Sequence, residues 1–177
     1  PNSGKSSLFN YLTKSKQRVA NFPGITVEKK TGEFEYIGNK YKVVDLPGVY
    51  TLDVSTLDEK VTRDHIFGKL NLTEAESSIN GRSIFILVMD ATNIKRSIYL
   101  AKQLQEIGRE FIVALNMMDL ATKRGQELDL KKLSDQLGGV DVRPITAVNG
   151  EGVDELLRSL STEQKKTTEF NLPIDYQ

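Results

Sequence analysis

The chain contains 177 residues, and its 24 Lys and Arg balance its 24 Asp and Glu, so the formal net charge is zero. That balance argues against nucleic acid as the main partner, because a surface that follows phosphates usually shows a basic excess. The lack of Cys and the single His exclude disulfides, thiolate nucleophiles and metal sites built from several Cys or His. The longest wholly apolar run, residues 84–89, is far shorter than the roughly 20 residues of a membrane span, which predicts a soluble domain.

The first half of the chain alternates turn signals with short amphipathic stretches. Apolar residues recur at helical spacing after the N-terminal Gly-Lys-Ser, and Gly38-Asn39 between two β-prone runs predicts a hairpin. The predicted elements are a helix around residues 8–12, a loop at 21–24, strands at 33–37 and 40–46, a helix at 57–70 with Val61, Ile66 and Leu70 buried, and a polar loop at 71–82.

The pattern of the second half of the chain predicts strands that alternate with helices. The predicted elements are a strand at 83–90, a helix at 94–107 ended by Gly108, a strand at 110–116, a short helix at 130–137, a strand at 140–146, a helix at 153–160 and a polar linker at 161–177. The continuous apolar runs predict strands buried on both faces. Together these patterns predict an α/β fold with a mostly parallel sheet, to which the hairpin adds one antiparallel edge strand.

Gly4-Lys5-Ser6 matches the end of the phosphate-binding pattern G-x-x-x-x-G-K-[ST]. In that pattern backbone N–H groups hold the phosphates, the Lys reaches the β- and γ-phosphates, and the hydroxyl binds Mg²⁺. The helix that follows directs its positive N-terminal end at the same anion. The leading Gly of the pattern lies before Pro1, so by itself this segment is described equally well as an ordinary loop before a helix.

Asp45-Leu46-Pro47-Gly48 ends a predicted strand. A carboxylate at Asp45 could hold Mg²⁺ through water, and the Gly48 N–H could meet a γ-phosphate. Pro and Gly are also the usual residues of a plain turn, which is the alternative for this segment alone.

Asn116-Met117-Met118-Asp119 follows a predicted buried strand. Asp119 could accept hydrogen bonds from N1 and the exocyclic N2 of guanine, a donor pair that adenine lacks. Asn116 would tie neighbouring loops together, and the stem of Met117 could cover the base. A polar loop start is the alternative.

Thr146-Ala147 follows the last predicted strand, where a backbone N–H could meet the guanine O6. Each of these signals is weak alone. Their order is informative, because a phosphate loop, Thr26, D-x-x-G, N-x-x-D and T-A all lie at strand ends or in loops, where open α/β sheets bind ligands.

This order resembles that of the Ras-like P-loop GTPases. Three segments, PNSGKSSLFN (1–10), QRVANFPGITVEKK (17–30) and VDLPGVYTL (44–52), are more specifically similar to the G domain of the FeoB family of bacterial ferrous iron transporters, and DATN (90–93) and ALNMMD (114–119) fit as well. The resemblance covers residues 1–160, and 17–30 is its most specific part.

The resemblance implies a three-layer P-loop GTPase fold that binds and hydrolyses GTP at the cytoplasmic face of the bacterial inner membrane. It implies a GTPase domain at 1–160 and a linker at 161–177, followed in the same polypeptide by helical and membrane domains that move Fe²⁺. It assigns nucleotide binding to Ser3, Gly4, Lys5, Ser6, Ser7, Gly48, Asn116, Met117, Asp119, Thr146 and Ala147. It assigns Mg²⁺ to Ser6, Thr26 and Asp45, K⁺ to Asn2, and catalytic roles to Lys5, Thr26 and Asn2.

The chain departs from that family pattern in four ways. The first strand and the leading Gly are absent, and the loss of a central strand is expected to destabilise the fold severely. Residues 71–82 are longer and more polar than the usual connector. The helical and membrane domains are not in this sequence. Val49 follows Asp45-Leu46-Pro47-Gly48, where Ras has a water-positioning Gln, so hydrolysis is expected to be slow.

Two other functions remain open from the sequence. One is a soluble GTPase of the Era or tRNA-modification type, which would act on the ribosome or on RNA. The other is a nucleotide-gated switch whose hydrolysis is too slow to matter. His65 is expected to be structural, Lys29-Lys30 to be a solvated patch, and the oligomeric state is not predicted.

Overall fold

The computed structural model describes residues 2–14, 16–53, 55–68 and 84–161. The helices are α1 (Lys5–Thr13), α2 (Leu57–Ile66), α3 (Lys95–Glu106), α4 (Met118–Lys123), α5 (Leu130–Gln136) and α6 (Val153–Ser161). The strands are β1 (Gln17–Asn21), β2 (Glu28–Tyr36), β3 (Asn39–Asp45), β4 (Phe85–Asp90), β5 (Phe111–Asn116) and β6 (Val142–Pro144). No helix among these residues has both the length and the apolarity needed to cross a bilayer.

β1, β2 and β3 form an antiparallel sheet in chain order. Tyr36 pairs with Asn39, so the hairpin turn is Ile37-Gly38, one residue earlier than predicted. Both turn residues have positive φ, 47° and 73°, as a two-residue turn of the I′ type requires. Asn39, predicted as a turn residue, begins β3 instead.

β1 is a strand that the sequence did not predict, and only its last residue, Asn21, falls in the loop predicted at 21–24. All five of its residues are exposed, because β1 is an edge strand that pairs only with β2 among the described residues. With neither face buried, β1 shows none of the apolar alternation by which strands are recognised.

The second sheet, β4-β5-β6, is parallel and confirms the α/β prediction. Every residue of β5 is buried, as predicted, whereas β4 is only partly buried because it forms the edge of this sheet in the described structure. The antiparallel part is larger than the single edge strand predicted, since it comprises three strands with a sheet of their own.

Helices cover both faces of the parallel sheet. Phe111 and Val113 of β5 pack in one apolar cluster with α3 and α5, while Ile112 and Ala114 pack in another with α1 and α6. Successive strand residues point to opposite faces, so this alternation produces the three layers predicted from the sequence.

α2 ends at Ile66, four residues before the predicted end. Val61 and Ile66 are buried as predicted, whereas Leu70 and the predicted loop at 71–82 lie outside the described residues, as does the predicted linker beyond Ser161. A capping box fixes the start of α2, because Thr56 accepts from the Glu59 N–H and Glu59 accepts from the Thr56 N–H.

The prediction of a solvated patch at Lys29-Lys30 is wrong for Lys29. Lys29 is buried, and its ammonium lies 5.7 Å from the centre of the Phe22 ring, which is itself buried. Lys30 is half-buried, with its ammonium 3.4 Å from Glu28. The pair therefore helps fix the 22–30 segment.

Candidate functional site

The N-terminal loop turns sharply into α1. Gly4, the N-cap residue, has a φ of 81°, and a Cβ at this position would collide with the side-chain amide of Asn116. Gly is therefore required both by the backbone conformation and by the close approach of Asn116. Among the described residues no side chain caps α1, so the N–H groups of its first turn have no side-chain acceptor.

Asn116, at the end of β5, joins two loops. Its Nδ2 donates to the Ser3 carbonyl at 2.9 Å, and its Oδ1 accepts from the Ala147 N–H at 2.9 Å. The residue is buried, and its hydrogen bond to Ala147 is buried with it, whereas that to Ser3 is partly buried. The loops that follow β5 and β6 are thereby fixed against the phosphate loop, as predicted for Asn116.

The Thr146-Ala147 pair uses both of its N–H groups inside the protein. Thr146 donates to the Glu151 carbonyl at 2.9 Å, and Ala147 donates to Asn116. Neither amide is therefore free in this structure to donate to a guanine O6, as one of them was predicted to do. Among the described residues, the first amide of this loop without a protein acceptor belongs to Val148, whose side chain is exposed.

Met117 and Asp119 lie beside Asn116. Met117 has a φ of 66° and forms the N-cap of α4, a helix that the sequence did not predict. That turn places Asp119 in the first turn of α4, half-exposed. Its carboxylate makes no hydrogen bond or ion pair with any described residue, so it is free to accept from a ligand.

A cleft of about 460 Å³ opens at the start of α1 and the end of β3. Lys5, Thr26 and Asp45 line it together, although they lie far apart in sequence. The Lys5 ammonium donates to Asp45 Oδ1 across the cleft, and the Asp45 side chain is only 9% exposed. Three predicted site residues therefore meet here.

The donors around this cleft suit Mg²⁺. Asp45 supplies a carboxylate and Thr26 a hydroxyl. Ser6 follows Lys5 in the first turn of α1 and is exposed, but it is not among the residues that line the cleft. The described residues contain no cluster of three His, Asp or Glu. One carboxylate with a hydroxyl fits a metal that takes its other ligands from phosphates and water, as Mg²⁺ commonly does.

Thr26 is exposed on a loop held by Phe22. The Phe22 N–H donates to the Val27 carbonyl at 3.0 Å, and the Phe22 carbonyl accepts from the Ile25 N–H at 3.1 Å. The base of this loop is therefore fixed, and its tip carries the hydroxyl predicted to bind metal.

Residues 46–49, which follow Asp45, are held by a hydrogen bond to α2 and by packing against the apolar core. The Pro47 carbonyl accepts from Thr62 Oγ1 of α2 at 2.8 Å. Gly48 is exposed and does not line the cleft, and Val49 packs against the apolar core. Val49 therefore has a packing role here.

Two residues that the sequence analysis missed, Gln103 and Arg96 of α3, hold residues 50–52. Gln103 Oε1 accepts from the Leu52 N–H at 2.8 Å and from Thr51 Oγ1 at 3.3 Å. The Arg96 guanidinium lies 5.5 Å from the centre of the Tyr50 ring. Nothing in the sequence distinguishes them from other polar residues on an exposed helix face.

Two predicted ligand-binding positions, Asn2 and Ser7, and the predicted structural residue His65 complete the set. Asn2 is exposed with a φ of 61°, Ser7 is half-buried in α1, and neither makes a side-chain hydrogen bond with a described residue. His65 lies in the last turn of α2, away from the cleft lining, where a basic group is favourable.

The family model described as ferrous iron transport protein B matches residues 1–160 of this chain. Among curated relatives, the Fe(2+) transporter FeoB of Legionella pneumophila strain Lens is 43% identical over 174 residues, which is 98% of this chain and 22% of the relative. The Fe(2+) transporter FeoB of Escherichia coli K12 is 39% identical over 173 residues, or 96% of this chain and 21% of the relative. The chain thus spans about a fifth of these relatives.

Solved structures match as well. The cytosolic domain of the T. maritima FeoB iron transporter in its GMPPNP form superposes with a TM-score of 0.82 at 38% identity, covering 100% of this chain and 66% of that one. The G domain of T. maritima FeoB superposes with a TM-score of 0.78 at 39% identity, covering 91% of each chain. The chain therefore belongs to the FeoB family of ferrous iron transport proteins, and its fold is that of the family's G domain.

Proposed function

We propose that this chain binds and hydrolyses GTP as the G domain of a ferrous iron transporter. One observation carries the proposal: buried Asn116 joins the phosphate loop to the loop after β6, and the free carboxylate of Asp119 lies one turn away. The solved relatives include forms with GMPPNP and GDP, which supports a guanine nucleotide as the ligand.

Asp119 would select the base. Its carboxylate accepts from the N1 and N2 donors of guanine, whereas adenine presents mismatched groups at those positions. A site built on such hydrogen bonds rejects the wrong partner strongly, because its buried polar groups are otherwise left unpaired. Met117, at the left-handed N-cap of α4, would cover one face of the base.

The phosphates would lie on the open N-terminal end of α1. The first-turn N–H groups of α1 have no partner within the helix, and the Lys5 ammonium would supply positive charge for the β- and γ-phosphates. Asp45, Thr26 and Ser6 would hold Mg²⁺, which, when bound, neutralises charge on the phosphates. Gly48 would contact the γ-phosphate through its N–H.

Catalysis would proceed without a water-positioning side chain at residue 49, because Val49 is apolar and packs against the core. Asn2, exposed beside the phosphate loop, would serve as a K⁺ ligand, with K⁺ supplying positive charge where the transition state develops negative charge. This role predicts faster GTP turnover in K⁺ than in Na⁺, and Asn2→Ala should abolish the difference. If the parent shows no preference for K⁺, the ion has no part in the reaction.

The same family assignment sets the wider context. Residues 1–160 would form the GTPase domain and 161–177 a linker, with helical and membrane domains of the same polypeptide on the cytoplasmic face of the inner membrane. GTP binding or hydrolysis would regulate or drive Fe²⁺ uptake there. The absence of a basic excess fits this role better than action on RNA.

Nucleotide titrations test the proposal. GTP and GDP should bind at least a hundredfold more tightly than ATP, since the Asp119 contact discriminates by hydrogen bonding, for which factors of about 10⁴ are known. Asp119→Asn should weaken GTP and favour xanthosine triphosphate, whose C2 carbonyl needs a donor. Asp129→Asn is the matched control, because Asp129 caps α5 away from the cleft lining and should leave the preference unchanged. Equal binding of ATP and GTP by calorimetry would refute the assignment.

A further inference from the structure

The ion pair between Lys5 and Asp45 spans the cleft and joins two groups that the proposed function assigns to different ligands. Lys5 begins α1 and Asp45 ends β3, and the carboxylate is mostly buried. Lys30 pairs with Asp45 in the strand register, but its ammonium lies beside Glu28. Among the described residues, Lys5 is therefore the cation that neutralises Asp45.

Each member of the pair competes with a ligand. While the Lys5 ammonium donates to Asp45, its charge is partly neutralised and directed at the carboxylate, so it attracts phosphates less. A divalent cation at Asp45 would repel the ammonium, because like charges a few ångströms apart in a partly buried site interact strongly. A cation at Asp45 and the Lys5–Asp45 pair are therefore alternatives.

We propose that Asp45 holds Lys5 in a self-inhibited position, from which a divalent cation releases it toward the phosphates. This proposal rests on the proposed function and adds a regulatory step to it. The cation and the nucleotide then bind cooperatively, because each favours the same rearrangement of Lys5. Without the cation, the nucleotide must break the ion pair itself, and its affinity is reduced by the cost of doing so.

The experiment measures GDP affinity in EDTA, where removal of the pair should help binding. We expect Asp45→Asn to bind GDP about fivefold more tightly than the parent, which is the change that the loss of an ion pair worth about 1 kcal/mol would produce. Asp58→Asn is the matched control, because Asp58 lines the same cleft and does not contact Lys5. That control should change the affinity less than about twofold if only general electrostatics are altered. If Asp45→Asn does not fold, Asp45→Ser replaces it, and the same gain in GDP affinity is expected.

The same substitution made in a Lys5→Met variant separates the release of Lys5 from a simple loss of repulsion between Asp45 and the phosphates. In Lys5→Met, Asp45→Asn should give no gain in EDTA, because there is no ammonium to release. A gain that persists in Lys5→Met, or an equal gain in Asp58→Asn, would overturn the proposal.

Titration with Mg²⁺ completes the test. The parent should gain more GDP affinity from Mg²⁺ than Asp45→Asn does, because only the parent has both a carboxylate for the metal and a pair to break. A parent that binds GDP in Mg²⁺, together with an Asp45→Asn variant whose affinity in EDTA is unchanged or lower, overturns this inference alone. A parent that binds no GDP overturns the proposed function and this inference with it.

Discussion

Asn116 and Lys5 lie on either side of the same loop and are held in different ways. Asn116 is buried and uses both ends of its amide in hydrogen bonds to backbone. Lys5 is 34% exposed and is held by one side chain, that of Asp45. The proposed base-binding end of the site is therefore held by hydrogen bonds within the protein, whereas the proposed phosphate-binding end is arranged around one ion pair that a ligand would have to replace.

The difference follows from the chemistry that each end must perform. A base is selected by fixed donors and acceptors, so rigidity at Asn116 and Asp119 increases discrimination. Phosphates and Mg²⁺ change between GTP and GDP, so the residues that contact them must be able to move. The predictions below test the two ends, from the largest expected effect to the smallest.

Asn116→Ala should cause the largest loss of stability. It leaves the Ala147 N–H and the Ser3 carbonyl without their partner in a buried place, which should cost about 2–4 kcal/mol in the free energy of unfolding. Urea unfolding measures this cost. Asn149→Ala is the control, because Asn149 is exposed and only accepts from the Glu151 N–H, so it should cost less than about 1 kcal/mol. Equal losses in the two variants would contradict a preformed base end.

Lys5→Ala should affect binding more than stability. It removes a charge-assisted contact with the phosphates, worth roughly 1.5–3 kcal/mol, so GTP should bind at least about tenfold more weakly in Mg²⁺. Calorimetry checks the affinity, and Lys14→Ala, at the other end of α1, is the control that should leave it unchanged. Unaltered GTP affinity in Lys5→Ala would remove the phosphate-loop assignment.

Gln103→Ala should loosen the segment that follows the cleft. The Leu52 N–H loses its acceptor, which should cost about 1 kcal/mol and raise amide exchange at residues 50–53. Lys102→Ala, one residue away and exposed, should do neither. Unchanged exchange in Gln103→Ala would show that other contacts hold this segment.

The pH dependence at the start of α2 should be the smallest effect. Hydrogen bonds from the Ser55 and Thr56 N–H groups lower the pKa of the Glu59 carboxyl. Because the folded-state pKa is lower than the unfolded one, this contribution to stability is present above the usual carboxyl pKa and is lost as pH falls through the folded value. Unfolding of the parent and of Glu59→Gln, compared at neutral pH and near pH 3, should therefore differ less at the acid end. A constant difference would contradict the capping role.

Local patterns predicted much of the fold and left out what depends on distant contacts. The apolar run of β5 and the helical spacing in α3 and α6 identify those elements, because burial alone determines them. β1 could not be predicted because it is an exposed edge strand. The hairpin turn lies one residue earlier than predicted, in a register that pairs Phe34 with Tyr41 so that their rings stack 5.1 Å apart, a contact across the strands that local sequence does not show.

In the candidate site, too, local motifs could be predicted and contacts between distant residues could not. The motifs around Lys5, Asp45 and Asn116 can be read from the sequence, because each lies at a strand end or in a loop. The pairing of Lys5 with Asp45, the use of the Ala147 N–H by Asn116 and the contacts of Gln103 could not, since each joins residues at least 31 positions apart.

Amide hydrogen exchange of the free protein, compared with its GDP and GMPPNP complexes in Mg²⁺, tests the contrast between the two ends most directly. The account predicts that residues 114–119 and 145–147 are already protected without nucleotide and change little on binding. It predicts that residues 24, 26, 46, 48 and 49, whose amides have no acceptor among the described residues, gain most of their protection only with GMPPNP. Strong protection of these residues in the free protein, with 114–119 and 145–147 protected only after nucleotide binds, would contradict it.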